Sequence, residues 1–99
     1  MRTEAESGIQ IGLPAGTPVL AAASGTVAAA GLEPCCARGR HVVIDHGGGF
    51  QTVYAHLADT RVTMGDRVQQ GRPIGTSGRM RERGPTGLVF GLLRSSSAP

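Results

Sequence analysis

The sequence predicts an all-β domain, and three observations support that prediction. Glycine and proline are frequent, with 16 Gly and 6 Pro in 99 residues, which is typical of short strands joined by turns. The apolar runs are short and contain Val, Ile and Thr, which favour strands. No stretch has the spacing of a long amphipathic helix. A thin core is expected, because much of the 39% apolar fraction is alanine and aromatic residues make up only 3%.

The first predicted strands lie in residues 16–31, "GTPVLAAASGTVAAAG". Alanine favours a helix, but Gly16, Pro18 and Gly25 interrupt the run at strand-like intervals. β-Branched residues stand where the strands would start. We therefore predict two strands joined by a tight turn at Ser24 and Gly25.

Residues 40–57, "RHVVIDHGGGFQTVYAHL", predict a β-hairpin. The three glycines can adopt the positive φ angles that a tight hairpin turn requires. Side chains alternate between the faces of a strand, so Tyr54 and His56 share one face, and Val53 and Leu57 share the other. Because Val53 and Leu57 are apolar, their face is predicted to be the core side. Tyr54 and His56 are then expected to project toward a groove or solvent.

The remaining chain predicts turns, one more strand and a tail. Residues 62–78 contain repeated glycines and predict a run of short turns. Residues 87–93, "GLVFGLL", predict a final buried strand. Residues 94–99 form a polar tail that is expected to fray.

Charge and hydropathy limit the possible partners. The net charge is +3, and every one of the ten basic residues is Arg, so the chain contains no Lys. The stretch "GRMRERG" at 78–84 could contact phosphates. An acid lies among its arginines and no aromatic residue alternates with them, so a solvated loop is favoured and no nucleic-acid partner is expected. No window approaches the about 20 apolar residues of a membrane span, so no membrane insertion is expected.

The N-terminus and the cysteines carry little functional signal. "MRTEAESGIQ" lacks the basic-then-apolar pattern of a signal segment. Either the protein stays inside the cell, or the chain is a module of a longer exported protein. Cys35 and Cys36 are adjacent, a spacing that suits a metal poorly. They are expected to be loop residues, with intermolecular oxidation as the alternative.

Three stretches in order carry a family resemblance: "GIQIGLPAGTPVLAAASGTV", "GRHVVIDHGGGFQTVYAHL" and "VTMGDRVQQGRPIGTSG". They resemble the lysostaphin/LytM-type zinc endopeptidases that cut peptidoglycan cross-bridges. The match covers roughly residues 6–93 of a single predicted domain, 1–99. The resemblance implies a compact antiparallel β-sheet of the barrel-sandwich hybrid type (a duplicated hybrid motif), with a groove across one sheet. It also implies an extracytoplasmic location, in the periplasm or cell wall, and peptidoglycan or a cell-wall protein as partner.

In that family a His, an Asp four residues later and the second His of a late His-x-His hold zinc, and a water completes the site. By resemblance the three ligand positions fall on Glu6, Gln10 and Val89, and the first His of the His-x-His falls on Gly87. A neutral amide is a weak ligand and valine cannot bind a metal. We therefore predict that the metal site is lost and that no cofactor is bound.

His56 stands where the family has the histidine of its "Y-x-H" strand, which assists the chemistry. Without the metal it is expected to be a vestige of catalysis. Tyr54, Glu6 and Gln10 are candidates for binding a peptide or glycan in the groove. Ordinary packing is the alternative role for His56 and Tyr54.

The sequence therefore predicts a catalytically degenerate family member that binds peptidoglycan or a partner such as a cell-wall hydrolase. The alternative is an active zinc endopeptidase with substitute ligands, in which Glu6 and His56 converge with His46 or His41. A lipoyl- or biotinyl-type carrier is excluded, because its attachment residue is a lysine. A barrel-sandwich adaptor without enzymatic function and a damaged or truncated coding sequence remain open.

Overall fold

Nine β-strands and no helix make up the part of the chain that the computed structural model describes, residues 9–32, 40–79 and 86–94. The strands are β1 (Ile9–Gly12), β2 (Pro18–Leu20), β3 (Gly25–Leu32), β4 (Arg40–Gly47), β5 (Phe50–Ala55), β6 (Leu57–Thr60), β7 (Arg67–Val68), β8 (Pro73–Arg79) and β9 (Thr86–Arg94). All their pairings are antiparallel. The all-β class is therefore confirmed.

Strand β9 joins the parts of the sheet together. The strand path is β2-β8-β9-β5-β4-β3-β7, with β1 added to β9 and β6 added to β8. Strand β8 changes partners along its length. Its first residues pair with β2 and β6, whereas Gly78 and Arg79 pair with β9. The curled sheet thereby folds over itself and encloses apolar side chains between its parts.

The predicted hairpin at 40–57 is present as β4 and β5. The turn glycines Gly47, Gly48 and Gly49 have φ angles of 82°, 66° and 85°, which side chains rarely allow. At the end of β4 the carboxylate of Asp45 accepts the Gly47 N–H at 2.9 Å. The glycine-rich turn therefore fixes the register in which Val43 lies opposite Val53.

The two strands predicted in residues 16–31 are present as β2 and β3, but they do not pair with each other. Strand β2 pairs with β8, and β3 pairs with β4 and β7. The segment between them, around Ser24, is therefore a link between two parts of the sheet and not a hairpin turn. Residues 62–78, expected to be turns, also contain β7 and most of β8. The predicted final strand is confirmed as β9.

The core lies on the face of β5 that carries Tyr54. It collects buried side chains from β2 to β9, namely Val19, Ala21, Val27, Val42, Ile44, Tyr54, Leu57, Val62, Val68, Ile74 and Leu88. Tyr54 is 1% exposed, and Phe90 packs against it edge-on with ring centroids 5.4 Å apart. Tyr54 is the largest of the fully buried side chains, and this aromatic contact adds to the stability of the core.

The prediction that Tyr54 lies on the groove or solvent side of β5 is wrong, because its side chain is in the core. Val53 and Ala55 are buried too, but on the opposite face, so both faces of this strand are apolar. His56 has a φ of 65° and separates β5 from β6. This left-handed residue interrupts the alternation, so Leu57 returns to the same core as Tyr54.

Several predictions fall on residues that the structure does not describe: 1–8, 33–39, 80–85 and 95–99. They concern Glu6, Cys35 and Cys36, most of the arginine-rich stretch and most of the polar tail. Arg94, the first residue of the predicted tail, lies in β9 instead. The extent of the domain, 1–99, stays a prediction. Within the described ranges, no helix has the length and apolar character needed to cross a membrane.

Candidate functional site

Three neighbouring strands bring Gln10, Val89 and Ala55 into one row, which we call the groove row. Gln10 on β1 is directly opposite Val89 on β9, and Val89 is directly opposite Ala55 on β5. Side chains opposite each other in an antiparallel pair have Cβ atoms about 4.5–5.5 Å apart. The two described positions that the resemblance assigned to zinc ligands are therefore neighbours, as two ligands of one ion must be.

The next row on the same face, two residues along the strands, consists of glycines. Gly87 on β9 pairs with Gly12 on β1 and with Gly78 on β8. Gly87 is the position that the resemblance assigned to the first histidine of the late pair. Only Gly12 of these three glycines is exposed, whereas Gly78 and Gly87 are buried.

His56 lies beside these rows, because it directly follows Ala55. The ring is half-buried, and the backbone has the left-handed conformation described above. Gly78 packs against this segment: a Cβ on Gly78 would lie 3.0 Å from the His56 carbonyl oxygen and 2.9 Å from the Ala58 nitrogen. Those distances are too short for a real Cβ, so the glycine allows β8 to hold His56 in place.

The donor set along these rows does not fit zinc. Gln10 offers only a neutral amide oxygen, and Val89 and Ala55 offer no lone pair. Among the residues that the structure describes, no group of three or more His, Cys, Asp or Glu is placed to hold a metal ion. Glu6, the remaining ligand position, lies outside the described residues. A tetrahedral zinc site with three protein ligands therefore has two unsuitable positions out of three.

Tyr54 does not line the groove. The expectation that it projects toward a groove or solvent is wrong, since its side chain is in the core. Its register partner on β9 is Phe90, one residue away from the groove-row position Val89. In this structure Tyr54 contributes to the site only by supporting the strands from beneath.

A chain of hydrogen bonds that the sequence did not predict accounts for the positions of the Tyr54 and His46 side chains. His46 Nδ1 is 2.7 Å from the Ser24 carbonyl oxygen, and His46 Nε2 is 2.7 Å from Thr52 Oγ1. Thr52 Oγ1 is 2.8 Å from Tyr54 Oη, which accepts the Ala22 N–H at 2.9 Å. The carbonyl can only accept, so His46 Nδ1 carries a proton here. The chain ties the link between β2 and β3 to the hairpin.

The sequence contained one hint of this arrangement. His46 matched the family pattern, although the family does not use that residue as a ligand. The contact to Ser24 spans 22 positions, so no local spacing could have indicated it. His46 is a structural histidine whose two ring nitrogens are both engaged.

The curled antiparallel sheet, with aligned positions crossing β1, β9 and β5, defines the chain as a peptidase-like domain of the LytM/lysostaphin type. The chain belongs to peptidase family M23, whose family model matches residues 4–98. The fold and the family expected from the resemblance are confirmed.

Known relatives and structures agree with this membership. The chain is 44% identical over 71 residues to the cell division protein DipM of Caulobacter vibrioides, covering 72% of this chain and 12% of DipM. It is 33% identical over 91 residues to the murein hydrolase activator EnvC of Escherichia coli, covering 92% of this chain and 21% of EnvC. The structure of the antimicrobial peptidase lysostaphin from Staphylococcus simulans superposes with a TM-score of 0.82 at 29% identity, over 92% of this chain and 38% of lysostaphin. The chain therefore spans a small part of each of these proteins.

Proposed function

We propose that this chain is a catalytically inactive M23-type module that acts by binding, either to peptidoglycan or to a cell-wall protein such as a hydrolase that it regulates. The observation that carries the proposal is the pairing of Gln10 with Val89. The two positions that the resemblance assigns to ligands adjoin each other, but a neutral amide is a weak metal ligand and valine offers no lone pair. These two residues support the inactive assignment.

The chemistry of the reaction supports the inactive assignment. In a zinc endopeptidase the metal supplies an activated water and polarises the scissile carbonyl. The residues of the groove row supply neither a base nor a charge that could replace those effects. His56, which is half-buried and directly follows Ala55, is then a vestige of catalysis.

Binding without cleavage suits what the groove offers. Gln10 is exposed and has an amide that both donates and accepts hydrogen bonds, as peptide groups and sugar amides do. Gly12, two residues further along β1, is exposed and has no side chain that would keep a ligand away. Glu6, four residues before Gln10, is proposed to contribute to the same ligand site. An extracytoplasmic location is part of the proposal, because EnvC is named as an activator of murein hydrolases.

A second function, an active zinc endopeptidase with substitute ligands, is favoured by the similarity to lysostaphin. It would need Glu6 and His56 together with His46 or His41. The structure counts against His46, because both of its ring nitrogens are already hydrogen-bonded, to Ser24 and Thr52. Recruiting it as a ligand would break the contacts that hold the link between β2 and β3.

Metal content tests the inactive assignment. The purified chain, incubated with micromolar zinc and then desalted, is expected to hold no stoichiometric metal by elemental analysis. The triple substitution Glu6→His, Gln10→Asp and Val89→His is expected to gain about one zinc per chain, because it restores the family's ligand types on the existing strands. A control with Gln10→Asn and Val89→Ile adds no ligand and is expected to gain none. One zinc bound to the unaltered chain would overturn the proposal.

Sedimentation with purified peptidoglycan tests the binding function. The chain is expected to co-sediment, and Gln10→Ala is expected to release a large part of it into the supernatant. Gln51→Ala is the matched control, since Gln51 lies further along β5 at a register position opposite Leu93. Equal loss in both variants would remove the groove from the proposal. No binding by the unaltered chain would leave a protein partner, to be captured with immobilised chain from cell-wall extracts.

A further inference from the structure

An open cavity of about 700 Å³ lies beside β7, away from the groove. Strand β7 is at one end of the strand path, and β5, the nearest strand of the groove row, is separated from it by β4 and β3. Three strand spacings correspond to about 14 Å across the sheet. The cavity is therefore separate from the groove row, and none of the groove residues lines it.

The lining of the cavity is polar and positively charged. Its residues include Ser24, Arg67, Val68, Gln69, Gln70 and Arg72. Val68 is 3% exposed and belongs to the core, while the polar side chains are exposed. Two arginines and no acidic residue line the cavity. Asp66, which directly precedes Arg67, does not line the cavity, and its carboxylate accepts the Thr63 N–H at 3.0 Å.

Hydrogen bonds hold the backbone of the cavity rim and the guanidinium of Arg72 in one arrangement. Arg72 Nη1 donates to the Arg67 carbonyl oxygen at 3.3 Å, which keeps the Arg72 guanidinium beside β7. The Gln70 N–H donates to Ser24 Oγ at 3.3 Å. The backbone of the turn is tied to Ala21, which donates to the Arg72 carbonyl and accepts from the Gly71 N–H, both at 2.9 Å. A rim that is already ordered loses little entropy when a ligand binds.

We propose that this cavity binds a short acidic peptide segment, with a carboxylate held by the guanidinium of Arg72. Arginine presents several N–H donors in a planar fork that fits a carboxylate. The carboxamides of Gln69 and Gln70 both donate and accept, so they can pair with the C=O and the N–H of a peptide bond, whereas a bare anion can use only their donors. The cavity volume is within the range of ligand sites and exceeds what a single ion needs.

Nuclear magnetic resonance titration of the full chain tests the proposal. The probes are an acetylated, amidated Ala-Glu-Ala peptide, its Ala-Gln-Ala counterpart and inorganic phosphate. The Glu peptide is expected to shift the amide resonances of residue 24 and of residues 67–72, and to leave those of residues 9–12 and 87–90 unchanged. Raising the ionic strength from 0.02 to 0.15 M is expected to weaken binding, because the contact is exposed to solvent.

Two variants and one control locate the interaction. Arg72→Gln is expected to weaken binding of the Glu peptide about tenfold or more, since it removes charge-assisted hydrogen bonds. Gln69→Ala is expected to weaken peptide binding while leaving the weak effect of phosphate unchanged. Arg61→Gln removes the same charge from an exposed position outside the cavity and is expected to bind as the unaltered chain does.

Each remaining outcome contradicts the proposal. Equal binding of the Gln peptide would show that the carboxylate is not recognised. Equal shifts with phosphate alone would show a general anion site without peptide recognition. If Arg61→Gln and Arg72→Gln weakened peptide binding equally, the peptide would be attracted by net charge and not held at a site. Shifts in the resonances of residues 9–12 and 87–90 would place the peptide in the groove and not in the cavity.

Discussion

Two adjacent rows of residues cross the same strands and differ in what they retain. The row through Tyr54 and Phe90 carries an aromatic pair, in which Tyr54 is buried and Phe90 half-buried, and leads into the hydrogen bonds of Thr52 and His46. The groove row, one residue along, carries an amide, a valine and an alanine at Gln10, Val89 and Ala55. The first row has contacts that stabilise the fold, and the second offers a metal only the amide oxygen of Gln10.

The comparison teaches that fold and catalysis are encoded by separate side chains on the same strands. Alternation sends neighbouring residues to opposite faces, so one face can change without altering the core. Substitution of an exposed ligand costs the fold little, whereas substitution of a buried aromatic residue costs several kcal/mol. A domain of this kind can therefore lose an activity and keep its shape.

The largest expected effect separates the two rows directly. Tyr54→Ala is expected to lower the free energy of unfolding by about 3–5 kcal/mol, because it empties a fully buried position. Val89→Ala in the groove row is expected to cost about 1 kcal/mol or less, since this side chain is only half-buried. Urea denaturation followed by circular dichroism measures both values. Similar losses in the two variants would break the distinction between the rows.

The next expected effect concerns the two glycines that flank Gly87. Gly78→Ala is expected to destabilise the chain by about 1–3 kcal/mol, since the new Cβ would meet the backbone at His56 and Ala58. Gly12→Ala is expected to be neutral within about 0.5 kcal/mol, because no atom lies within 4 Å of its Cβ position.

Thermal unfolding of the two glycine variants gives the comparison, and amide spectra locate the change. Only Gly78→Ala is expected to move the resonance of His56. If both variants behaved alike, the close approach of β8 to the His56 segment would not hold that residue in place.

The smallest expected effect lies at His56 itself. Its φ of 65° disfavours residues with a Cβ, so His56→Gly is expected to be more stable than His56→Ala by about 1 kcal/mol. Both variants remove the imidazole, so the difference isolates the backbone conformation. Chemical denaturation resolves it, and an alanine variant as stable as the glycine variant would contradict the left-handed conformation.

The hairpin was predictable because its signals are local. Three consecutive glycines between runs of β-branched residues specify a turn and its flanking strands, and β4 and β5 follow. The family was also predictable, because three motifs occur in the family's order. The resemblance placed Gln10 and Val89 at ligand positions, and the register then placed those residues opposite each other.

The orientation of β5 was not predictable from alternation. Val53 and Ala55 on one face and Tyr54 on the other are all buried, so hydrophobicity could not choose between the faces. The left-handed conformation of His56 depends on contact with β8, about 20 residues later, and so lies outside any local pattern. The chain from Ser24 to Tyr54 through His46 is a tertiary feature for the same reason.

Strand β9, described above as the link between β1, β5 and β8, also affects how the chain is made. Ile9 must find Phe90, so the two residues that close the sheet are among the first and the last of the described strands to be synthesised. Pairing across so long a separation is slow, and exposed strand edges promote aggregation. Until β9 leaves the ribosome, β1 has no strand partner in the described fold and β5 has only β4. These strand edges therefore stay unpaired until β9 has been synthesised.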